Sequence, residues 1–308
     1  MDFLQPASWD EALAARAARL GAIPIAGGTD VMVELNFDRR RPEALLDLTR
    51  VAELTGWTTE GGKLRIGSGV TYADLTGERG GSGTGDLRGV LPGLAMAART
   101  VGSPQIRNRG TIGGNLGAAS PAGDCHPPLL AAGAQIELAS VRGARMVDAQ
   151  DFYTGVKRNA LAPDELIAAI WITPPAGPEQ FAKIGTRNAM VIAVLAFSLA
   201  LHPDRGAVGT GIGSAAPTPV RAAEAEQFLA GALAADGLWE SRLPLPAAVV
   251  TEFAARVSAA ARPIDDVRGT AAYRRHALAV LARRTLSWAW QDYCGSGASR
   301  NGGSARCG

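Results

Sequence analysis

The sequence predicts an α+β protein built from two units. Three observations carry this reading. The chain has 308 residues, at or beyond the ~250–300 that one hydrophobic core serves. A proline-rich break, Pro174-Pro175-Ala176-Gly177-Pro178, divides it. Beyond that break, strand-like runs come first and helical patterns follow, the order of an α+β domain. Apolar residues make up 47% and charged residues 19%, so a packed core is available and a disordered chain is excluded.

The elements follow in order. Ser8 and Glu11 have capping-box spacing, Leu13, Ala17 and Leu20 share one face, and Gly21 ends the helix. Ala22-Ile23-Pro24-Ile25-Ala26 reads as a buried strand that runs straight into Gly27-Gly28-Thr29-Asp30, and residues 44–48 as a second strand. These close a small subdomain near residue 55. Leu64, Ile66 and Ser68 alternate with wet positions as in a half-exposed strand. Residues 70–75 look like a helix start, and residues 77–86, with five glycines, like a mobile loop. Leu91, Leu94, Ala98 and Val101 recur at helical spacing, and residues 135–141 and 167–172 are strand-like.

In the second unit, residues 189–201 form an almost unbroken apolar run, too short to span a membrane and branched enough for a buried strand. Residues 208–213 are its expected partner. Helical patterns fill 220–235, 247–261 and 270–290. The expected division is 1–176 (subdomains 1–56 and 57–176), 177–290 and a disordered tail, 291–308, rich in Gly, Ser, Arg and Asn.

Composition excludes several function classes. Lys plus Arg is 31 and Asp plus Glu is 29, a net charge of +2; phosphate-neutralising nucleic-acid binding is not expected. No membrane helix or secretory leader is expected. Cys125, Cys294 and Cys307 form no CxxC pair, and with three histidines no histidine-rich metal site is expected. The reading is a reduced, cytoplasmic protein without a metal.

Glycine is the outlier, at 38 residues. Ala26-Gly27-Gly28-Thr29-Asp30 follows a strand, where bare amides form an anion nest or simply a tight turn. Gly110-Thr111-Ile112-Gly113-Gly114-Asn115-Leu116 repeats the same chemistry. Asp124 follows, either to accept hydrogen bonds from sugar hydroxyls or to end a loop or cap a helix. Two nests and a carboxylate point to a dinucleotide, yet no GxGxxG, P-loop, GxSxG or HExxH occurs. Gly209-Thr210-Gly211-Ile212-Gly213 reads as a strand end with a turn, because Pro217 and Pro219 stand where a helix would start. His126 reads as structural and Cys125 as a buried thiol.

These motifs, with Ser103-Pro104-Gln105-Ile106 before the second, Pro121-Ala122-Gly123-Asp124 after it, and Ala215-Ala216-Pro217-Thr218-Pro219-Val220-Arg221 and Asp266-Val267-Arg268-Gly269-Thr270 beyond, resemble the FAD-binding (medium) subunits of molybdenum hydroxylases. The resemblance covers about residues 1–290. It implies a two-subdomain FAD-binding fold of the vanillyl-alcohol-oxidase type, followed by an α/β C-terminal domain. It also implies FAD contacts at Pro24, Ile25, Ala26, Gly27, Gly28, Thr29, Asp30 and Val31, at Thr111, Ile112, Gly113, Gly114 and Asn115, and at Asp124. Val101, Leu166 and Lys183 stand where the family has further contacts; ordinary core or surface roles are the alternatives. No separate catalytic acid or base is implied. The implied partners are an iron–sulfur small subunit and a molybdopterin large subunit, electrons running from the iron–sulfur clusters to FAD and on to NAD or another acceptor. The assembled enzyme's substrate would be xanthine or a related purine, with carbon monoxide and aldehydes as alternatives. Arg187-Asn188-Ala189-Met190-Val191 departs from the family by offering no aromatic ring to stack on a flavin. A self-sufficient flavin oxidoreductase of the same fold and a non-enzymatic nucleotide binder are the competing readings.

Overall fold

The computed structural model describes residues 1–78, 83 and 86–301, with side chains to 296. The first subdomain holds β1 (Asp2–Leu4), α1 (Trp9–Ala18), β2 (Ile23–Ile25), α2 (Val31–Asn36) and β3 (Ala44–Asp47). Its parallel sheet runs β1-β3-β2. Ser8 caps α1 by accepting from the Glu11 amide, as its spacing predicts. β2 is half-buried rather than buried, because it is an edge strand and borders a cavity.

The second subdomain contains β4 (Trp57–Glu60), β5 (Lys63–Gly67), α3 (Tyr72–Leu75), α4 (Leu87–Val90), α5 (Pro92–Arg99), α6 (Pro104–Arg107), α7 (Ile112–Ala118) and α8 (His126–Ala132). After these come β6 (Gln135–Ser140), β7 (Gly143–Asp148), α9 (Ala149–Phe152), the small hairpin β8 (Tyr153–Gly155) and β9 (Arg158–Asn159), and β10 (Leu166–Ile172). The antiparallel sheet runs β4-β5-β10-β6-β7. One face carries Ile66, Ile136, Leu138 and Ile170 into the main core with Ile112, Leu116 and Leu129. On the other face Ala139, Leu166 and Ala168 pack on Leu13, Leu46 and Leu54 of the first subdomain. The loop expected at 77–86 falls mostly outside the described residues.

The C-terminal unit begins with β11 (Glu179–Ile184), β12 (Leu195–His202) and β13 (Ala207–Gly213), paired antiparallel in that order. Helices α10 (Ala223–Ala235), α11 (Leu238–Ser241), α12 (Ala247–Ala260) and α13 (Ala271–Asn301) follow. Of the apolar run at 189–201, only the part from Leu195 is strand; residues 185–194 form a loop with Met190 at φ 51°. Every residue of β12 is buried, since α8 lies on one side of it and α13 on the other. Gly209 and Gly211 lie within β13 and make no turn. A Cβ on them would sit 1.9 Å from the Ala131 carbonyl oxygen and 2.0 Å from that of Pro127, so the glycines let α8 of the first unit lie directly on the second unit's sheet. α13 continues to Asn301, so residues 291–301 of the expected disordered tail are helical; extending an anchored helix costs far less than nucleating one. Residues 302–308 lie outside the described residues.

Candidate functional site

A cavity of about 1710 Å³ opens where the two subdomains and the C-terminal unit meet. That exceeds the ~300–1,000 Å³ of common small-molecule sites and suits an extended dinucleotide. Eight Arg or Lys side chains and five Asp or Glu side chains border it, a balance that attracts an anion.

The first glycine turn forms one wall. β2 ends at Ile25, Gly28 takes a left-handed φ of 73°, and α2 begins at Val31 without a side-chain cap. None of the six amides of residues 26–31 has an acceptor among the described residues. Six consecutive free donors on a cavity wall need an external acceptor or water. Asp30 stands beside them; burial, the largest influence, pushes its carboxyl pKa up against the pull of Lys157.

The second glycine segment has a different structure from the nest its sequence implies. It is the start of α7, with Thr111 as N-cap accepting from the Gly114 amide at 3.0 Å. The Ile112 amide donates to Val70, the Gly113 amide to Ser68 and the Asn115 amide to Thr111. The amides of Ile112, Gly113, Gly114 and Asn115 are therefore already used, and the expectation of two open nests is corrected to one. Gly113 is needed for close packing, because a Cβ there would lie 2.5 Å from the Ser68 Cβ. Gly114 is exposed towards the cavity, its nearest obstacle being the Thr111 hydroxyl at 3.1 Å. The two segments touch: a Cβ on Gly27 would lie 1.8 Å from the Arg109 carbonyl oxygen.

Pro24, Ile25, Ala26, Gly27, Gly28, Thr29, Asp30, Val31, Thr111, Gly113, Gly114, Asn115 and Leu166 all border the cavity. Ile112, Val101, Asp124 and Lys183 do not. Ile112 is fully buried and Val101 packs against the same core. Asp124 accepts from Lys183 Nζ at 2.5 Å and from the Thr100 hydroxyl at 3.3 Å. Burial nonetheless outweighs both and moves the Asp124 pKa upward. The cap of α8 is Cys125, not Asp124. Two acceptors stand buried without partners here, Asn115 Oδ1 and Asp124 Oδ1. Such atoms call for hydroxyl or N–H donors, which a sugar or ribityl chain supplies and a phosphate does not. The residues that border the cavity thus fit FAD: open amides at 26–31 for its diphosphate and Asn115 for a hydroxyl, while Asp124 lies outside the lining.

His126 is buried with Nδ1 2.8 Å from the Tyr153 hydroxyl, a structural role as read from the sequence. Cys125 is fully buried and burial pushes its thiol pKa up.

Sequence reasoning missed the far wall. Ser214, Ala216, Pro217, Ile264, Asp266 and Arg274 close the cavity from the C-terminal unit. Asp266 and Gly269 exchange backbone hydrogen bonds in a tight turn. Arg274 holds the Asp266 carboxylate at 2.6 Å, the chief reason its pKa is lowered, and Arg268 adds to it at 3.2 Å. The aspartate–arginine spacing in Asp266-Val267-Arg268 and Arg274 was the available signal.

A cavity between two α+β subdomains, walled by acceptor-free amides and closed by a third unit, defines a two-subdomain protein with a dinucleotide-sized anion site. Comparison with known proteins gives the family. Residues 1–175 match the model of the FAD binding domain in molybdopterin dehydrogenase, and residues 180–289 that of the CO dehydrogenase flavoprotein C-terminal domain. The chain is 31% identical over 271 residues to the xanthine dehydrogenase FAD-binding subunit of Escherichia coli O157:H7, covering 85% of this chain and 87% of that one. It is 32% identical over 291 residues to the carbon monoxide dehydrogenase medium chain of Afipia carboxidovorans, covering 92% and 95%. Reconstituted CO dehydrogenase from Oligotropha carboxidovorans has the same fold, with a TM-score of 0.82 and 30% identity over 95% of this chain and 98% of that one. The chain belongs to the FAD-binding flavoprotein subunits of the molybdenum hydroxylases, and it is an oxidoreductase subunit whose cofactor is FAD.

Among the described residues no helix is long and apolar enough to cross a membrane, and no cluster of His, Cys, Asp or Glu could hold a metal.

Proposed function

We propose that this chain holds FAD with the diphosphate on the amides of residues 26–31 and the sugar and ribityl hydroxyls towards Asn115, with Asp124, which does not itself border the cavity, supporting that side. The observation that carries the reading is the run of six amides without acceptors on the cavity wall. Thr29 adds a hydroxyl donor, and Leu166 and Pro24 supply apolar wall. Gly114 leaves room for close approach to α7. Bound FAD supplies the chemistry of accepting electrons and passing them on. The protein's own groups bind and orient it, and the Asp266–Arg274 turn helps to close the site from the C-terminal unit.

In the cell, on this reading, the chain works in the cytoplasm with an iron–sulfur small subunit and a molybdopterin large subunit. Electrons from the iron–sulfur partner reach this subunit and leave to NAD or another acceptor. The assembled enzyme hydroxylates a purine of the xanthine kind, on the strength of the similarity to a xanthine dehydrogenase subunit. Purification together with the proposed partner subunits tests this: flavin absorption, FAD released on denaturation, and co-purifying iron, sulfide and molybdenum are expected. Colourless protein that takes up no added FAD overturns it; flavin without partners favours a self-sufficient oxidoreductase.

A further inference from the structure

The inner face of β11 presents Glu179, Phe181 and Lys183 to α5, which belongs to the other unit. Glu179 accepts from the Gly93 amide at 3.1 Å, at the first turn of α5. Phe181 packs on Ala97 in the middle of the helix. Lys183 Nζ donates to the Thr100 carbonyl at 3.2 Å, at the helix C-cap. The same ammonium holds Asp124. Dimensions explain the match: eight helical residues span ~12 Å, and four residues of strand span ~13 Å. An acid at the N-terminal end and a base at the C-terminal end also complement the helix dipole. Glu179 is 4% exposed and both members of the Lys183–Asp124 pair are 7% exposed. Gly93 eases the approach, since a Cβ there would crowd the Glu179 Cβ at 3.1 Å.

We propose that Glu179 and Lys183 form an inter-domain clamp on the two ends of α5, and that Lys183 thereby makes the setting of Asp124 depend on the seating of the C-terminal unit. Glu179 borders no part of the cavity, so it is a positioning residue, and Lys183 is one too rather than a wall residue. The link to cofactor retention rests on the FAD reading above; the clamp itself does not.

The test uses the full chain with two readouts. Without FAD, hydrogen exchange in segments 92–101 and 179–184 is compared among wild type, E179A and E179Q. E179A is expected to speed exchange in both segments by up to about tenfold, the effect of one buried hydrogen bond; E179Q keeps an acceptor for the Gly93 amide and restores most of the protection. Unchanged exchange in E179A overturns the clamp, whatever binds in the cavity. With FAD, dissociation is followed by flavin fluorescence for E179A, K183M and the double variant. Faster release in E179A, and a double variant no faster than K183M, are expected of one shared route. Effects that multiply, or E179A release equal to wild type, overturn the coupling to Asp124. A wild type that binds no FAD sinks the FAD reading and leaves the exchange result standing.

Discussion

Gly27→Ala is the substitution that most directly probes the site's construction. The added methyl would lie 1.8 Å from the Arg109 carbonyl oxygen, 2.4 Å from its carbonyl carbon and 2.8 Å from the Gly110 nitrogen. All three are backbone atoms, so no side chain can swing away. Ordinary contact begins near 3.4 Å, so the two glycine segments must part by about 1.6 Å. Overpacking of this kind costs roughly 1–3 kcal/mol or more. For a chain of 308 residues ~2–3 kcal/mol corresponds to a fall in Tm of roughly 3–5 °C. Gly28→Ala is the control: Gly28 has the left-handed φ of 73°, but its added methyl would meet side-chain atoms and no backbone, the Ile25 Cδ1 and Met32 Cγ, both at 3.3 Å. It should cost about 1–2 kcal/mol. Thermal unfolding of the two variants, with and without FAD, decides the point. If Gly28→Ala costs as much as Gly27→Ala, or if Gly27→Ala keeps the wild-type Tm and FAD content, the two segments do not meet as described.

Further outcomes follow from the same geometry. Gly114→Val should lower the flavin-to-protein ratio while leaving Tm within about 2 °C of wild type, because position 114 faces the cavity and is helical, where Val costs no more than Gly; unchanged FAD content would remove α7 from the binding surface. Asp124→Ala should destabilise the chain by roughly 3–5 kcal/mol in denaturant, by stranding the buried Lys183 ammonium, and should also weaken FAD. Burial pushes the His126 pKa down to about 3, so the unfolded chain binds the extra proton between there and about 6.5. Stability is whole above pH ~6.5 and falls by up to ~1.4 kcal/mol per pH unit below it. His126→Phe should remove that share of the slope; an identical pH profile would contradict the buried neutral ring. Gly211→Ala should cost at least about 2 kcal/mol in chemical denaturation, through the Pro127 carbonyl 2.0 Å from the new methyl.

The residues alone determined the elements whose signal is local. Ser8 with Glu11 marks the first helix, the alternation at Leu64 and Ile66 marks a strand, and Ala26-Gly27-Gly28-Thr29-Asp30 marks the turn on which the site is built. Each depends on neighbours within a few residues, which a single sequence displays. Tertiary structure decided what paired glycines at two places have in common and where they differ. At 26–31 the amides are left open, whereas at 112–115 they are consumed by Ser68 and Val70, brought there by the approach of the β5–α3 segment, and by the adjacent cap Thr111. The same holds for Lys183, whose partners Thr100 and Asp124 lie 83 and 59 residues away, and for the Asp266–Arg274 wall. A side chain's type reports what it could bond; only the packing of distant segments fixes which of its bonds are already made.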